Sequence, residues 1–298
     1  MNFTILDLEW NSVFSPRLSG YFNEIIQFGA VKLDENLKLT DTFSTFVLPS
    51  EGKKLTELVI QLTNIRNEDL QGGLPFLEAF HRFTDFLGDS VLMTWGTCDI
   101  RELIHNYRFF TGKTNLSIPG GYINLQAYCQ QRIGESSAQQ MGLAAAAEAL
   151  SIDASAIALH RAIDDSILSA ECFRAVYDPE ALKPFFTQTD DEFYRRLAFK
   201  NKYLTDLSHP LIDRSKLRFR CPECGGRLNE LEPWALRGKQ FRAKFRCEAC
   251  EKNFNAFAQF QQRFDGVRVR RRITPEQPPE APQVEQSATP AVSPAEPA

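Results

Sequence analysis

No stretch of about 18 consecutive apolar residues occurs in the 298-residue chain, which excludes a membrane-spanning helix. The first residues carry no basic cluster followed by an apolar core, so no secretory leader is expected. Histidine is scarce, four in all. Three of these read as structural: His81 on the polar side of a Phe-rich helix, and His105 and His209, which are read as lacking an acidic or thiol partner at ligand spacing. Cysteine does not form the even set of a disulfide scaffold: there are seven, and four fall into two Cys-x-x-Cys pairs. That usage points to metal binding in a reducing compartment, and the expected location is cytoplasmic.

What the chain does have is a core. Hydrophobic residues make up 43%, with 24 Phe, enough for one α/β domain and a smaller second one. Charge is divided along the chain. Residues 1–194 hold 14 Lys/Arg against 26 Asp/Glu, residues 195–272 hold 20 against 8, and residues 273–298 hold no base and 4 Glu. An acidic part able to hold cations, followed by a basic module, points to a polyanionic partner. Plain segregation of charge between domains is the other reading.

The stretch Phe3-Thr4-Ile5-Leu6-Asp7-Leu8-Glu9-Trp10 reads as a buried strand. Alternation puts Phe3, Ile5, Asp7 and Glu9 on one side. Two adjacent ionised carboxylates repel each other, and burying them costs several kcal/mol unless a divalent cation or its equivalent neutralises them. Further strands are expected over 24–34 and 37–48, after a loop containing Pro16 and Gly20, and short ones at 91–95 and 122–125. Helices are expected over 55–62, 76–87, 99–110, 141–150 and 160–177, with another from 125 to about 132. Thr189-Asp190-Asp191-Glu192 has capping-box form and is expected to start a helix with Phe193, Leu197 and Leu204 on one face. Strands first, then alternating helix and strand, give an α/β fold with a mixed sheet.

Asp99 follows the apolar strand at 91–95, where α/β folds place their chemistry. His160-Arg161-Ala162-Ile163-Asp164-Asp165 supplies a histidine and an acidic pair. Asp7, Glu9, Asp99 and Asp165 make four carboxylates able to hold two divalent ions on a phosphodiester, with neutral His160 as the base. Cys98, beside Asp99, is expected to be a small buried residue. Trp10 either stacks on a terminal base or belongs to the core.

Residues 1–180 resemble the DnaQ-like, or DEDDh, family of 3′–5′ exonucleases, and within it the Eri-type and KapD-like branch. Asp7-x-Glu9, Asp99 and His160-x4-Asp165 carry the resemblance, with Asn23 to Val31, Leu62-Thr63-Asn64-Ile65 and the whole run from His160 to Ser166. The resemblance implies a ribonuclease H-like mixed sheet flanked by helices. It also implies metal binding by Asp7, Glu9, Asp99 and Asp165 (two Mg²⁺ or Mn²⁺) and His160 as base. Helical i, i+4 counting would pair His160 with Asp164; the family pattern selects Asp165. Asn64 stands where the family often has Gly, in a loop distant from the carboxylates in sequence.

Cys221-x2-Cys224 and Cys247-x2-Cys250 have the spacing of a structural zinc site of zinc-ribbon form, with four thiolates closing the coordination sphere. Around them Phe241, Ala243 and Phe245 alternate with Arg242, Lys244 and Arg246, and Arg268, Arg270 and Arg272 with Val267 and Val269. These six cations form a candidate nucleic-acid surface; a solvated strand face and a protein-docking ribbon are the competing readings. The expected organisation is an exonuclease domain over 1–183, a helical connector over 184–217, a zinc ribbon over 218–273 and a disordered Pro/Glu-rich tail over 274–298. The expected function is a two-metal exonuclease on single-stranded nucleic acid, without membrane association. The competing class is a regulatory protein whose ribbon or tail docks a protein partner.

Overall fold

Phe3, Thr4, Ile5 and Leu6 are buried on both faces of their strand, the signature of a central strand covered from two sides. The computed structural model describes residues 1–276 apart from 114, 117, 135–138 and 154–160. His160, the expected tail at 277–298 and part of the expected helix over 160–177 thus lie outside the described residues. The chain divides into two compact units, 1–198 and 199–298. No helix among the described residues is long and apolar enough to cross a membrane.

In the first unit the elements run β1 (Phe3–Ser15), β2 (Gly20–Leu33), β3 (Leu39–Phe46), α1 (Glu57–Thr63), α2 (Phe76–Leu87), β4 (Val91–Thr94), α3 (Cys98–Thr111), β5 (Tyr122–Asn124), α4 (Leu125–Ile133), α5 (Leu143–Ala149), α6 (Ala162–Val176), α7 (Pro179–Leu182), β6 (Phe186–Thr187) and α8 (Asp191–Ala198). The sheet order is β3-β2-β1-β4-β5-β6. β1, β2 and β3 are antiparallel, β4 and β5 run parallel to β1, and β6 is antiparallel to β5. This is the mixed ribonuclease H-like sheet, with β1 at its centre.

Helices cover both faces. Leu6 and Leu8 point to one side, where Phe76, Phe80 and Phe83 of α2 and Ile100, Leu103 and Ile104 of α3 pack. Phe3 and Ile5 point to the other, against Leu168, Cys172 and Phe173 of α6 and Tyr128 of α4. Asp7 and Glu9 continue the α6 side, by the alternation of the strand.

The first hairpin is longer than the sequence reading. The loop around Pro16 and Gly20 is only a tight turn, closed by the Ser19 amide donating to the Pro16 carbonyl at 3.2 Å. β1 and β2 pair from Phe3↔Leu33 to Ser15↔Gly20, with a bulge between Glu9 and Trp10 that leaves Ile26 unmatched. Beyond the bulge, Glu24 is buried and accepts from the backbone amides of Ser50, Glu51 and Gly52 at 2.5, 3.0 and 2.9 Å. Asn11 accepts from the Thr56 amide and donates to the Lys54 carbonyl. These bonds fasten the loop before α1 to the hairpin.

Cys98 is exposed, contrary to expectation, because it opens α3 on the turn before the apolar stripe begins at Ile100. The helix read from Thr189 is also shorter than expected. Its cap is Asp190, whose Oδ1 accepts from the Phe193 amide at 2.9 Å, and Phe193, Tyr194 and Leu197 join the first core. Leu204 is not on this helix. It lies in β7 (Lys202–Leu204), which pairs with the second unit's sheet. The stretch 184–217, read as a connector, is therefore shared between the two units rather than forming a segment of its own.

The second unit is β-rich: β7, β8 (Asn229–Arg237), β9 (Gln240–Cys247), β10 (Lys252–Arg263) and β11 (Gly266–Pro275), in the order β11-β10-β9-β8 with β7 on β10. Phe241, Ala243, Phe245 and Cys247 are buried, as are Phe254, Ala256, Ala258 and Phe260. The strand β11 runs two residues past the expected tail boundary, and Glu276 bonds Asn253 through its amide and its carboxylate.

Gly29 stands opposite Asp7, and a Cβ there would lie 2.1 Å from the carbonyl carbon of Ala162 and 2.2 Å from the Ile163 nitrogen. Only hydrogen lets the first turn of α6 lie this close to β2. Gly29→Ala is expected to push that turn away, destabilise the fold by about 1–3 kcal/mol in urea denaturation, and weaken divalent-metal affinity by displacing Asp165. Unchanged metal affinity would show that the approach of α6 is not needed.

Candidate active site

Three elements deliver the carboxylates. β1 presents Asp7 and Glu9 two residues apart, α6 presents Asp165 in its first turn, and α3 presents Asp99 in its own. Oxygens of Asp7, Glu9 and Asp165 lie within 4.8 Å of one another. Asp164, the neighbour favoured by helical counting, is not in this cluster. Asp99 is also outside it by that measure; its Oδ1 accepts from the Leu8 amide at 3.2 Å. The field of Asp99 nonetheless reaches Asp7 and Glu9.

Burial and mutual repulsion dominate the electrostatics. Asp7 is held well above the ordinary carboxylate range by burial first, then by Asp99, Glu9 and Asp165. Burial, Asp165 and Asp99 raise Glu9 to about 8, opposed by the Arg161 guanidinium. Asp99 is raised to about 7 by burial, despite hydrogen bonds from its own amide and that of Leu8. Carboxylates that resist ionisation side by side, with oxygens converging from two elements, are a fitting oxygen donor set for a divalent cation.

Arg161 links this cluster to a loop that the sequence reading set apart. Its Nη2 donates to the Asn64 carbonyl at 3.1 Å, and its guanidinium lies over the Phe46 ring. The loop thus meets Arg161, immediately before the first turn of α6. Asn64 caps α1 in the left-handed region at φ 52°, where Asn is tolerated better than other non-glycine residues, so its replacement of Gly keeps the turn. The sequence signal was there, in the unbroken run Leu62-Thr63-Asn64-Ile65, but the distance to the carboxylates is spanned only by the fold. Trp10 is half-buried against the Leu8 side of the core. Contrary to expectation His105 has an acidic neighbour, Glu102, 3.5 Å away and one helical turn back, while the His209 Nδ1 accepts from the Leu211 amide.

In the second unit the sulfurs of Cys221, Cys224, Cys247 and Cys250 converge within 4.8 Å. Cys221 and Cys250 are 3.8 Å apart, and Cys224 and Cys247 are 3.6 Å apart. A disulfide would need about 2.05 Å. Tetrahedral zinc with Zn–S bonds of about 2.3 Å places sulfurs about 3.8 Å apart, so the four thiols fit that ion. Gly225, at φ +70°, turns the first knuckle and donates its amide to the Cys221 carbonyl. Glu251 holds the matching position after Cys250 at φ 53°. Lys252 and Glu223 tie the knuckles at 2.8 Å.

The basic residues share one outward face. Arg242, Arg268, Arg270 and Arg272 are exposed, and Lys244 and Arg246 are half-buried. Lys244 is engaged by Glu232 at 3.0 Å and Glu276 at 3.2 Å, and Arg246 bonds Asn253. These two are taken up within the protein, an outcome their alternation in sequence does not reveal.

A protein-family profile described as an exonuclease, RNase_T, matches residues 4–173. The probable 3′-5′ exonuclease KapD of Bacillus subtilis is 26% identical over 179 residues, covering 58% of this chain and 82% of that protein. The nuclease domain of 3′hExo, a DEDDh family member solved bound to rAMP, superposes with a TM-score of 0.53 at 19% identity, covering 63% of this chain and 97% of that one. A 3′-exonuclease structure described as recognising the histone mRNA stem-loop also gives 0.53, at 22% identity, covering 61% of this chain and 65% of that one. The two structural likenesses carry the fold.

Because the folded state keeps protons on Glu9 and Asp99 up to pH about 8 and 7, while unfolded carboxylates lose theirs near pH 4, the metal-free fold loses stability as pH rises from about 5 to 9. Thermal melts in chelator are expected to show this fall. Mn²⁺ should restore stability at pH 8, and Asp7→Asn should raise the metal-free melting temperature. A melting temperature independent of pH in chelator would contradict the repulsion. For the second cluster, Cys221→Ser with Cys247→Ser is expected to unfold the β-rich unit, read by loss of exchange protection over 219–273, while 1–198 stays protected. Joint loss of both would overturn their independence.

Proposed function

This chain belongs to the RNase_T exonuclease family, and from that premise we propose that it removes nucleoside monophosphates one at a time from the 3′ end of single-stranded nucleic acid. The observation that carries the proposal is the convergence of Asp7, Glu9 and Asp165 from a central strand and a helix N-terminus, with Asp99 held beside them by the Leu8 amide. In this reading the four carboxylates hold two Mg²⁺ or Mn²⁺ ions. Bound there, the ions supply Lewis-acid polarisation of the phosphodiester and offset charge on the leaving oxygen.

The protein's own groups orient and exchange protons. The Asp99 carboxylate is fixed by a backbone amide on β1, so its second oxygen keeps one direction. His160, by its place in the motif, takes the proton from the attacking water. Arg161 next to it lowers the repulsion on Glu9 and anchors the motif to the Asn64 loop. Trp10, following the bulge at Glu9, offers a ring edge for the terminal base while its remainder stays in the core.

The four thiols of the second unit hold one structural Zn²⁺ in this reading, and the paired Cys-x-x-Cys usage is the ground for placing the protein in the reducing cytoplasm. The exposed Arg242, Arg268, Arg270 and Arg272 assist by holding the strand's phosphates.

Purified protein with Mg²⁺ or Mn²⁺ and 5′-labelled single-stranded RNA and DNA tests the proposal. A ladder shortening from the 3′ end is expected, reduced by Asp7→Ala more than about 100-fold, since even groups behind a metal's ligands contribute 10- to 100-fold. No shortening of either strand, with binding retained, would replace this reading by that of a regulatory binding protein.

A further inference from the structure

The outward face of the second unit holds one feature beyond its cations. Along β10 the outward positions are Asn255, Phe257, Gln259 and Gln261, polar except for one half-buried aromatic ring. Phe257 pairs with Arg242 on β9 and with Arg272 on β11, so one cross-strand row reads Arg242, Phe257, Arg272. The Arg272 guanidinium lies over the Phe257 ring at 5.3 Å. Farther along, Gln259 pairs with Arg270 and Gln261 with Arg268. A groove of about 660 Å³ is lined by Arg242, Lys244, Phe257 and Arg272 among others.

Availability decides which groups can bind a partner. Lys244 is neutralised by Glu232 and Glu276, so that end of the face is closed to anions. Arg242, Arg268, Arg270 and Arg272 have no acidic partner among the described residues. The unit's other basic groove, about 1410 Å³ beside Phe219 and Trp234, differs in this respect. There Arg271 donates to the carbonyls of Lys216 and Arg218 and lies over Phe219, Arg220 donates to the Gly225 carbonyl, and Lys216 faces Asp213. Lys216, Arg220 and Arg271 serve the fold there, whereas around Phe257 Arg272 meets only the aromatic ring and Arg242 only the Gln240 side-chain oxygen.

An aromatic ring flanked by two guanidinium groups that no carboxylate neutralises, on an open sheet face, matches a base between two phosphates. Stacking needs an unpaired base, whose flat face a duplex hides. We propose that this face binds single-stranded nucleic acid, with Phe257 stacking one base, Arg242 and Arg272 holding the flanking phosphates, and Arg270 and Arg268 continuing the track. The proposal deepens the exonuclease reading and rests on it for the biological role of the strand, but the binding itself is separable from cleavage.

The test uses the full chain carrying Asp7→Asn, a fluorescent 20-nucleotide single strand and the matching duplex. Phe257→Ala is expected to weaken single-strand binding on the order of 10-fold and leave duplex binding unchanged, while Phe257→Trp retains the affinity. Arg242→Gln with Arg272→Gln should reduce the slope of log K against log salt by about 1.4. Zinc content and the melt of the second unit verify that the variants fold, and exposed Arg268→Glu with Arg270→Glu, expected to weaken binding at least as much, guards against a fold effect of the Phe change. Equal affinity of Phe257→Ala and its parent, or a preference for duplex, overturns the platform.

Cleavage separates the two readings when Phe257→Ala is made in the otherwise unmodified chain. It should cleave a 20-nucleotide strand more slowly at limiting concentration. Cleavage with no Phe257 effect on binding removes the platform and keeps the exonuclease. A Phe257 effect on binding without cleavage by the unmodified chain does the reverse.

Discussion

Repulsion between buried carboxylates is the constraint around which the first unit is arranged. Asp7, Glu9 and Asp165 bring oxygens within 4.8 Å of one another, and each ionised neighbour makes the next harder to ionise. Such a cluster does not persist through its own attractions; the surrounding fold must hold it. β1 lies at the centre of six strands, α6 is seated on β2 through Gly29, and Asp99 is held by the Leu8 amide. The apolar clusters on both faces supply the stability that the charged end of the strand gives up, as functional sites commonly require.

The second unit meets its constraint differently. Its sheet has a core of Phe241, Phe245, Phe254 and Phe260 with small residues between them, joined by Leu204, Ile212 and Leu228. Four thiols converge at one end, at a separation that fits a tetrahedral zinc ion. With one face buried and the knuckles tied by Lys252 and Glu223, the opposite face carries the cations, of which Lys244 and Arg246 are taken up within the protein.

Much of this was legible from residue order. The alternation in β1, the Phe stripe of α2 and the Cys-x-x-Cys pairs are local patterns, and local sterics and ligand spacing give them one meaning. Other features were not local. The hairpin through Ser15 and Gly20 depends on a two-strand ladder, which the turn residues Pro16 and Ser19 disguise as a loop. Leu204 fits a helical stripe with Phe193 and Leu197 until the sheet of the second unit takes it as a strand. The Asn64 loop looks distant from the catalytic motif until the Arg161 guanidinium reaches its carbonyl.

By itself the sequence determined which chemistry was available: four carboxylates and a histidine in family order, four thiols at zinc spacing, and a basic β-rich module. These follow from residue type and short-range periodicity. The tertiary structure decided which of these groups meet and which are spent. It brought Asp165 rather than Asp164 to the strand carboxylates, turned one Asp99 oxygen to a backbone amide, neutralised Lys244 and left Phe257 between two available arginines. Coulombic and hydrogen-bonding energies fall off over a few ångströms, and only the folded chain fixes distances on that scale.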